Sequence, residues 1–332
     1  MTATRRGLRV GLTYNLRRVA VAEGDSEAEF DTPATIDALA NAIRSRGHEV
    51  FPLEADRSLP PALAELAPDL VFNVAEGLSG LNREAQVPAL CELLDYEYTG
   101  SDAACMAISL NKATAKRLVA SEGILTPAFA VLRTGAEPLA QGFLFPAIVK
   151  PLAEGSSKGI LEKQVAETEP ELRQIAHALL ERYRQPVLAE AFLPGREFTV
   201  ALLGERTPRA LPIMEIVFTN RSERFPIYSF KSKFESADVE NKVPCNVEPA
   251  LYAELESVAR ASFAALGCRD IARVDLRLDG DGRVHFIECN PLPGMTPSFS
   301  DLCVMAKAES IAYDALVSEI MAPAVRRFRA RR

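Results

Sequence analysis

The segment from Ala272 to Pro291 alternates apolar and charged residues on both sides of a glycine–aspartate turn, a pattern that fits a β-hairpin. Leu276 to Leu278 and Val284 to Ile287 supply strand formers, and Asp279-Gly-Asp-Gly282 supplies residues that tolerate positive φ. A turn centred on Gly280-Asp281 sets Arg273 opposite Glu288 and Asp275 opposite Phe286. With a side-chain period of two, Arg273, Asp275, Glu288 and Asn290 share one face. Their three oxygen donors suit a hard divalent cation such as Mg²⁺, and the arginine suits an anion that the cation also touches. The same alternation turns Cys289 into the core and His285 off this face.

Composition narrows the classes. At 332 residues the chain has room for two or three domains. A hydrophobic fraction of 48% and a net charge of −7 exclude a general attraction to nucleic acid or anionic lipid. No apolar run approaches the ~20 residues of a membrane span, so no membrane partner is expected and the inferred compartment is cytoplasmic. The six cysteines form no C-x-x-C pair and read as reduced, buried thiols. The three histidines share no metal-ligand spacing. The terminal run Arg326-Arg327-Phe-Arg329-Ala-Arg331-Arg332 reads as a solvated helix end.

Strands alternate with helices over the first ~105 residues: Leu8–Leu12, a helix from Thr32-Pro33 to Gly47, His48–Leu53, Pro60–Ala67, Asp69–Val74 and Arg83–Leu94. That order implies a parallel sheet with ligand sites at its strand ends. Beyond residue 106 the rhythm becomes strand-rich, with antiparallel segments around Pro146–Pro151, Pro186–Phe192, Glu197–Leu203 and Arg209–Val217. The expected class is α/β (α+β), in three units: 1–107, 108–186 and 187–332.

Three further segments carry chemistry. Lys150 closes an apolar strand ahead of Gly155-Ser156-Ser157-Lys158-Gly159, where small residues let backbone N–H groups approach phosphate oxygens. Lys112 opens a helix. Glu190-Ala-Phe192-Leu193-Pro-Gly-Arg-Glu197 pairs apolar wall residues with an acid, as an adenine pocket and a ribose require.

In this order, with Tyr98-Thr-Gly-Ser101 and Gly294-Met-Thr296, these pieces resemble the ATP-grasp superfamily and, within it, the D-alanine–D-alanine ligase family. The likeness spans nearly the whole chain. It implies an ATP-grasp fold: an N-terminal parallel-sheet unit, a small central α+β lid and a C-terminal antiparallel sheet. It also implies an ATP-dependent carboxylate–amine ligase working through an acyl phosphate. By match, Lys112, Lys150 and Lys233 contact phosphates, Glu190 and Leu193 fall at adenine, beside the apolar wall residue Phe192, and Glu197 falls at ribose. Asp275, Glu288 and Asn290 fall on the ligands of two Mg²⁺ ions, for which Mn²⁺ is an alternative. Arg273 and the Gly294 N–H fall at the oxyanion, and Ser156, in the glycine- and serine-rich loop, is expected to be catalytic with them. The partners implied are small-molecule acid and amine substrates, and a homodimer.

The substrate end departs from the family. Either Glu27 or Glu29 stands in for the glutamate that holds a substrate ammonium. A His-Gly loop is Glu76-Gly77 here, a tyrosine is Phe234, and a Ser-Leu pair is Phe299-Ser300, with Ser298 or Ser300 as substitutes. A buried hydrogen-bonding site strongly rejects a substrate lacking the matching group. The expected substrates are therefore amino-acid-like but not two D-alanines. The alternatives are a genuine D-alanine–D-alanine ligase with a divergent pocket and a non-catalytic nucleotide-binding protein.

Overall fold

The computed structural model describes residues 7–19, 27–155, 164–220, 223–228 and 238–331. The N-terminal unit opens with β1 (Arg9–Tyr14), α1 (Pro33–Ser45), β2 (Glu49–Glu54), α2 (Leu59–Leu66) and β3 (Leu70–Asn73). Its parallel sheet has the order β2-β1-β3. The Thr32 hydroxyl caps α1 by accepting from Thr35 N, and Pro33 occupies the first turn, where a missing N–H costs nothing. The helix buries Ile36, Leu39, Ala40 and Ile43 against Val10 and Leu12. A 3-10 turn, Arg83–Ala85, leads into α3 (Gln86–Leu93).

Next come α4 (Ala103–Leu110), α5 (Lys112–Ser121), β4 (Phe129–Leu132), β5 (Ala147–Pro151), β6 (Val165–Ala166), α6 (Glu169–Tyr183) and β7 (Val187–Ala191). The central sheet is antiparallel in the order β4-β7-β5-β6 and packs its own core on α6 through Leu172, Ala176 and Leu179. Two unit boundaries expected from sequence shift as a result. Pairing of β7 with β4 and β5 carries 187–191 into the central sheet. Ala115 and Val119 of α5 pack in the core of the C-terminal sheet, away from the central core.

The C-terminal unit holds β8 (Glu197–Gly204), β9 (Arg209–Ala210), β10 (Met214–Phe218), β11 (Val239–Lys242), α7 (Pro249–Ala265), β12 (Asp270–Leu278), β13 (Val284–Asn290), α8 (Asp301–Ala308) and α9 (Tyr313–Ala330). Its main path is β11-β10-β8-β12-β13. One face packs Phe198, Val274 and Phe286 against Phe263 of α7. On the other side, Leu203, Ile271, Met305, Leu316 and Ile320 share a single core with Val10, Leu12 and Leu39 of the N-terminal sheet.

Arg327 departs from the expected solvated end. Its guanidinium donates to Glu97 at 2.7 Å, to Glu205 at 2.5 Å, to both oxygens of Asp270 at 2.7 and 2.8 Å, and to Tyr98 O. Asp270 is fully buried, so the C-terminal helix ties the N-terminal unit to β12 through a desolvated charge cluster.

Candidate active site

The hairpin of β12 and β13 contains a β-bulge. Arg273 lies opposite Asn290 and Asp275 opposite Glu288, after which the register slips and Leu276 faces Phe286. Ile287 is the extra residue, and it lines the same cleft as Glu288. The turn-based register is corrected by this insertion, yet the four site residues still share one face. The slip also reverses the expected placing of His285. It pairs with Arg277 on the site face and meets Asp279 at 3.0 Å near the turn.

Asp275 accepts four hydrogen bonds from three residues. Arg273 donates to both of its oxygens at 3.1 Å, Thr199 donates at 2.5 Å, and Asn290 Nδ2 donates at 3.1 Å. Arg273 also reaches Asp301 at 3.1 Å. Burial and neighbouring Glu288 push the Asp275 carboxyl up, against the pull of Arg273. Glu288 goes the other way. Burial opposes its charge, but Lys112, Lys150 and Arg273 hold it down at about 2. Lys112 stands 3.3 Å from it and also donates to Glu154 O.

The central sheet supplies the opposite wall of the cleft through Ile148, Lys150 and Glu190. Glu190 is 2.5 Å from Lys150 and 2.9 Å from Lys116, and all three side chains are buried. Burial pushes the Lys116 ammonium down to about 8 against the attraction of Glu190. Burial acts on Lys150 in the same sense, but Glu190 and Glu288 outweigh it and raise that ammonium. The Glu190 carboxylate, placed by sequence at an adenine position, is thus committed to two lysines. Phe192 and Leu193 line the cleft. Glu197 lines it too, bound to Arg277 at 2.9 Å, with the Arg277 guanidinium 4.7 Å from the Phe192 ring centroid.

Sequence reading missed Lys116, although it stands four residues after Lys112 on one helix face. It also missed Arg277, two residues beyond Asp275 on the same strand face. Ser156 and Lys233 lie outside the described residues.

A second cavity of about 290 Å³ adjoins the hairpin and is lined by Arg273, Glu288, Asn290 and Gly294. Its far residues come from the N-terminal unit: Arg17, Glu29, Asp31, Glu76 and Glu84. Arg83 donates to both oxygens of Glu29 at 2.9 and 2.8 Å, and Gly155 N donates to Glu29 at 2.8 Å. Burial raises Asp31 to about 7 despite Arg17, and burial plus Glu29 raises Glu84 to about 8. Ser300 lines the cavity and accepts from Thr296 N at 3.0 Å. Ser298 is exposed, with φ 61°, and does not line it. Of the two substitutes expected, only Ser300 stands at the cavity.

Two antiparallel sheets that face each other across buried lysines and a carboxylate hairpin define the ATP-grasp class of protein. A family model described as D-ala D-ala ligase C-terminus matches residues 118–322. The D-alanine–D-alanine ligase of Aquifex aeolicus is 34% identical over 92% of this chain and 99% of its own. An uncharacterized protein of Sinorhizobium fredii, y4sG, is 33% identical over 88% of each chain. The fold matches that of the Bacillus anthracis D-alanine–D-alanine ligase crystallised with ATP, at a TM-score of 0.75, 23% identity and coverage of 98% of this chain and 100% of that one. The chain belongs to the D-alanine–D-alanine ligase family and is an ADP-forming ATP-grasp ligase.

Proposed function

We propose that the protein joins a carboxylate to an amine through an acyl phosphate, acting in the cytoplasm on amino-acid-like small molecules other than two D-alanines. A carboxylate oxygen bonds to the γ-phosphorus of ATP as the β–γ bridging bond breaks, and ADP leaves. The amine nitrogen then attacks the acyl carbon, and phosphate departs with the original carboxylate oxygen. Such chemistry needs placement and charge neutralisation in place of a protein nucleophile. Lys112 and Lys150 are set to hold phosphates, while Phe192, Leu193 and Glu197 line the nucleoside end. Arg273 and the Gly294 N–H would meet the oxyanion, where losing one donor typically costs ~2.7–4 kcal/mol.

The donor set fits Mg²⁺. Glu288 stays ionised, and Asn290 turns its amide nitrogen to Asp275, which leaves its carbonyl oxygen for a cation. Asp275 already accepts four bonds, so a cation bound there displaces one donor. Asp275, Glu288 and Asn290 would hold the metal, which would neutralise charge on the terminal phosphates.

One observation supports a substrate other than D-alanine. The cavity wall facing the hairpin carries Glu76 and Glu84, carboxyls that a methyl side chain cannot satisfy. ADP release with D- and L-amino acids, singly and in pairs, tests this reading. Best turnover with D-alanine alone would establish the second reading, a D-alanine–D-alanine ligase, which the name of the Aquifex aeolicus relative favours.

A further inference from the structure

The wall of the second cavity away from the hairpin carries more carboxyls than its cationic neighbours can pair. Glu29, Asp31, Glu76, Glu84 and Glu154 line it. Two guanidinium groups stand among these five carboxyls. Arg83 is bound to Glu29 and lies 3.4 Å from Glu154. Arg17 donates to the carbonyl oxygens of Glu27 and Ala28 and acts on Asp31 through its charge. Nearby Lys112 is committed to Glu288.

Glu76 and Glu84 accept no hydrogen bond and join no ion pair among the described residues. Glu84 is only 7% exposed, and it lines the cavity. Oxygen atoms of Glu29, Glu76 and Glu84 lie within 4.8 Å of one another. Like charges this close, half-buried to buried, each favour a cation or a proton. Five carboxyls against two guanidiniums leave three that need a proton or a further cation, and the α-ammonium of an amino acid can serve one.

We propose that this wall binds a substrate bearing a second cationic group, an amino acid with an ammonium or guanidinium side chain or a diamine, and that Glu76 and Glu84 select it. The inference rests on the ligase reading above and supplies the class of one substrate. An organic cation fits better than a metal ion here. Glu29 is already saturated by Arg83 and Gly155, and the Arg83 guanidinium would repel a divalent cation beside it.

Calorimetry on the full-length protein with Mg²⁺ and a non-hydrolysable ATP analogue tests the proposal. Lysine and arginine of both hands are titrated beside norleucine, which keeps the chain length and lacks the charge. The basic amino acids should bind at least ~10-fold more tightly than norleucine, and Glu76→Gln or Glu84→Gln should bring that ratio down toward one. Glu84→Asp should restore part of it. Equal affinity for lysine and norleucine, or a ratio that survives in both variants, overturns the proposal. So does a Mn²⁺ equivalent, titrated alone, that disappears in Glu84→Gln. Selective binding of basic amino acids without ADP release from any acid–amine pair would sink the ligase reading and leave this one standing. ADP release with a neutral acid–amine pair other than two D-alanines, with no selectivity for basic amino acids, would do the reverse.

Discussion

Asp275 and Glu288 face each other across the hairpin at the last regular pair before β13 bulges. The two carboxyls respond oppositely to the same neighbourhood. Asp275 is wrapped by donors yet raised by burial and Glu288, whereas Glu288 is drawn down by three cations. One acid is thereby held in place and the other kept charged.

Glu288→Gln removes the charge that faces Lys112 and keeps the shape. ADP release should fall by about 10²-fold or more with little loss of thermal stability. Steady-state ADP release beside a melting curve checks this, and unchanged turnover would contradict the assignment of Glu288 to the metal.

Lys150→Ala should weaken ATP binding by about 10–100-fold, the worth of a charge-assisted bond. Lys116→Met should weaken it less, by drawing Lys150 further onto Glu190. Equilibrium titration with an ATP analogue separates the two, and identical losses would refute the ordering.

Glu84 gives a pH signature in the substrate-free protein. Its folded pKa of about 8 lies above the ordinary 4.5, so the folded state binds more protons between those values. Stability from this group is complete below about pH 4.5 and is lost as pH rises through 8. Glu84→Gln should therefore match wild type in acid and exceed it at pH 8 by ~2–4 kcal/mol. Urea unfolding at several pH values measures the difference, and a constant gap would count against the buried titration.

Arg327→Met leaves Asp270 buried without its guanidinium. Losing one partner of such a cluster costs about 3–5 kcal/mol. Chemical denaturation should show that loss, whereas Arg329→Met, two residues along, should cost under ~0.5 kcal/mol.

Alternation alone put Arg273, Asp275, Glu288 and Asn290 on one face, because strand periodicity is local. The bulge was not legible, since one inserted residue in β13 leaves no mark in composition. The commitment of Glu190 to Lys116 and Lys150 was hidden for another reason. It depends on a helix and two strands closing together, 40 and 74 residues apart in the chain. The helices α4 and α8 escaped notice because Ala-Ala-Cys-Met-Ala-Ile-Ser-Leu and Asp-Leu-Cys-Val-Met-Ala-Lys-Ala alternate too little between apolar and polar residues to show a helical period. Arg327 looked like one more solvated arginine because its partners lie on the loop after β8, at the start of β12 and near Glu97.

The distribution of apolar contacts decides how the molecule can breathe. Val10, Leu39, Ile271 and Leu316 belong to one continuous interior, so the first and last thirds of the chain should travel as one body. The β4–β7 layer has a separate interior and meets α5 through a small patch of Ala113, Leu152 and Leu188. Access for nucleotide should therefore come from a swing of that layer alone, and bound ATP should slow amide hydrogen exchange there more than in α1 or α9.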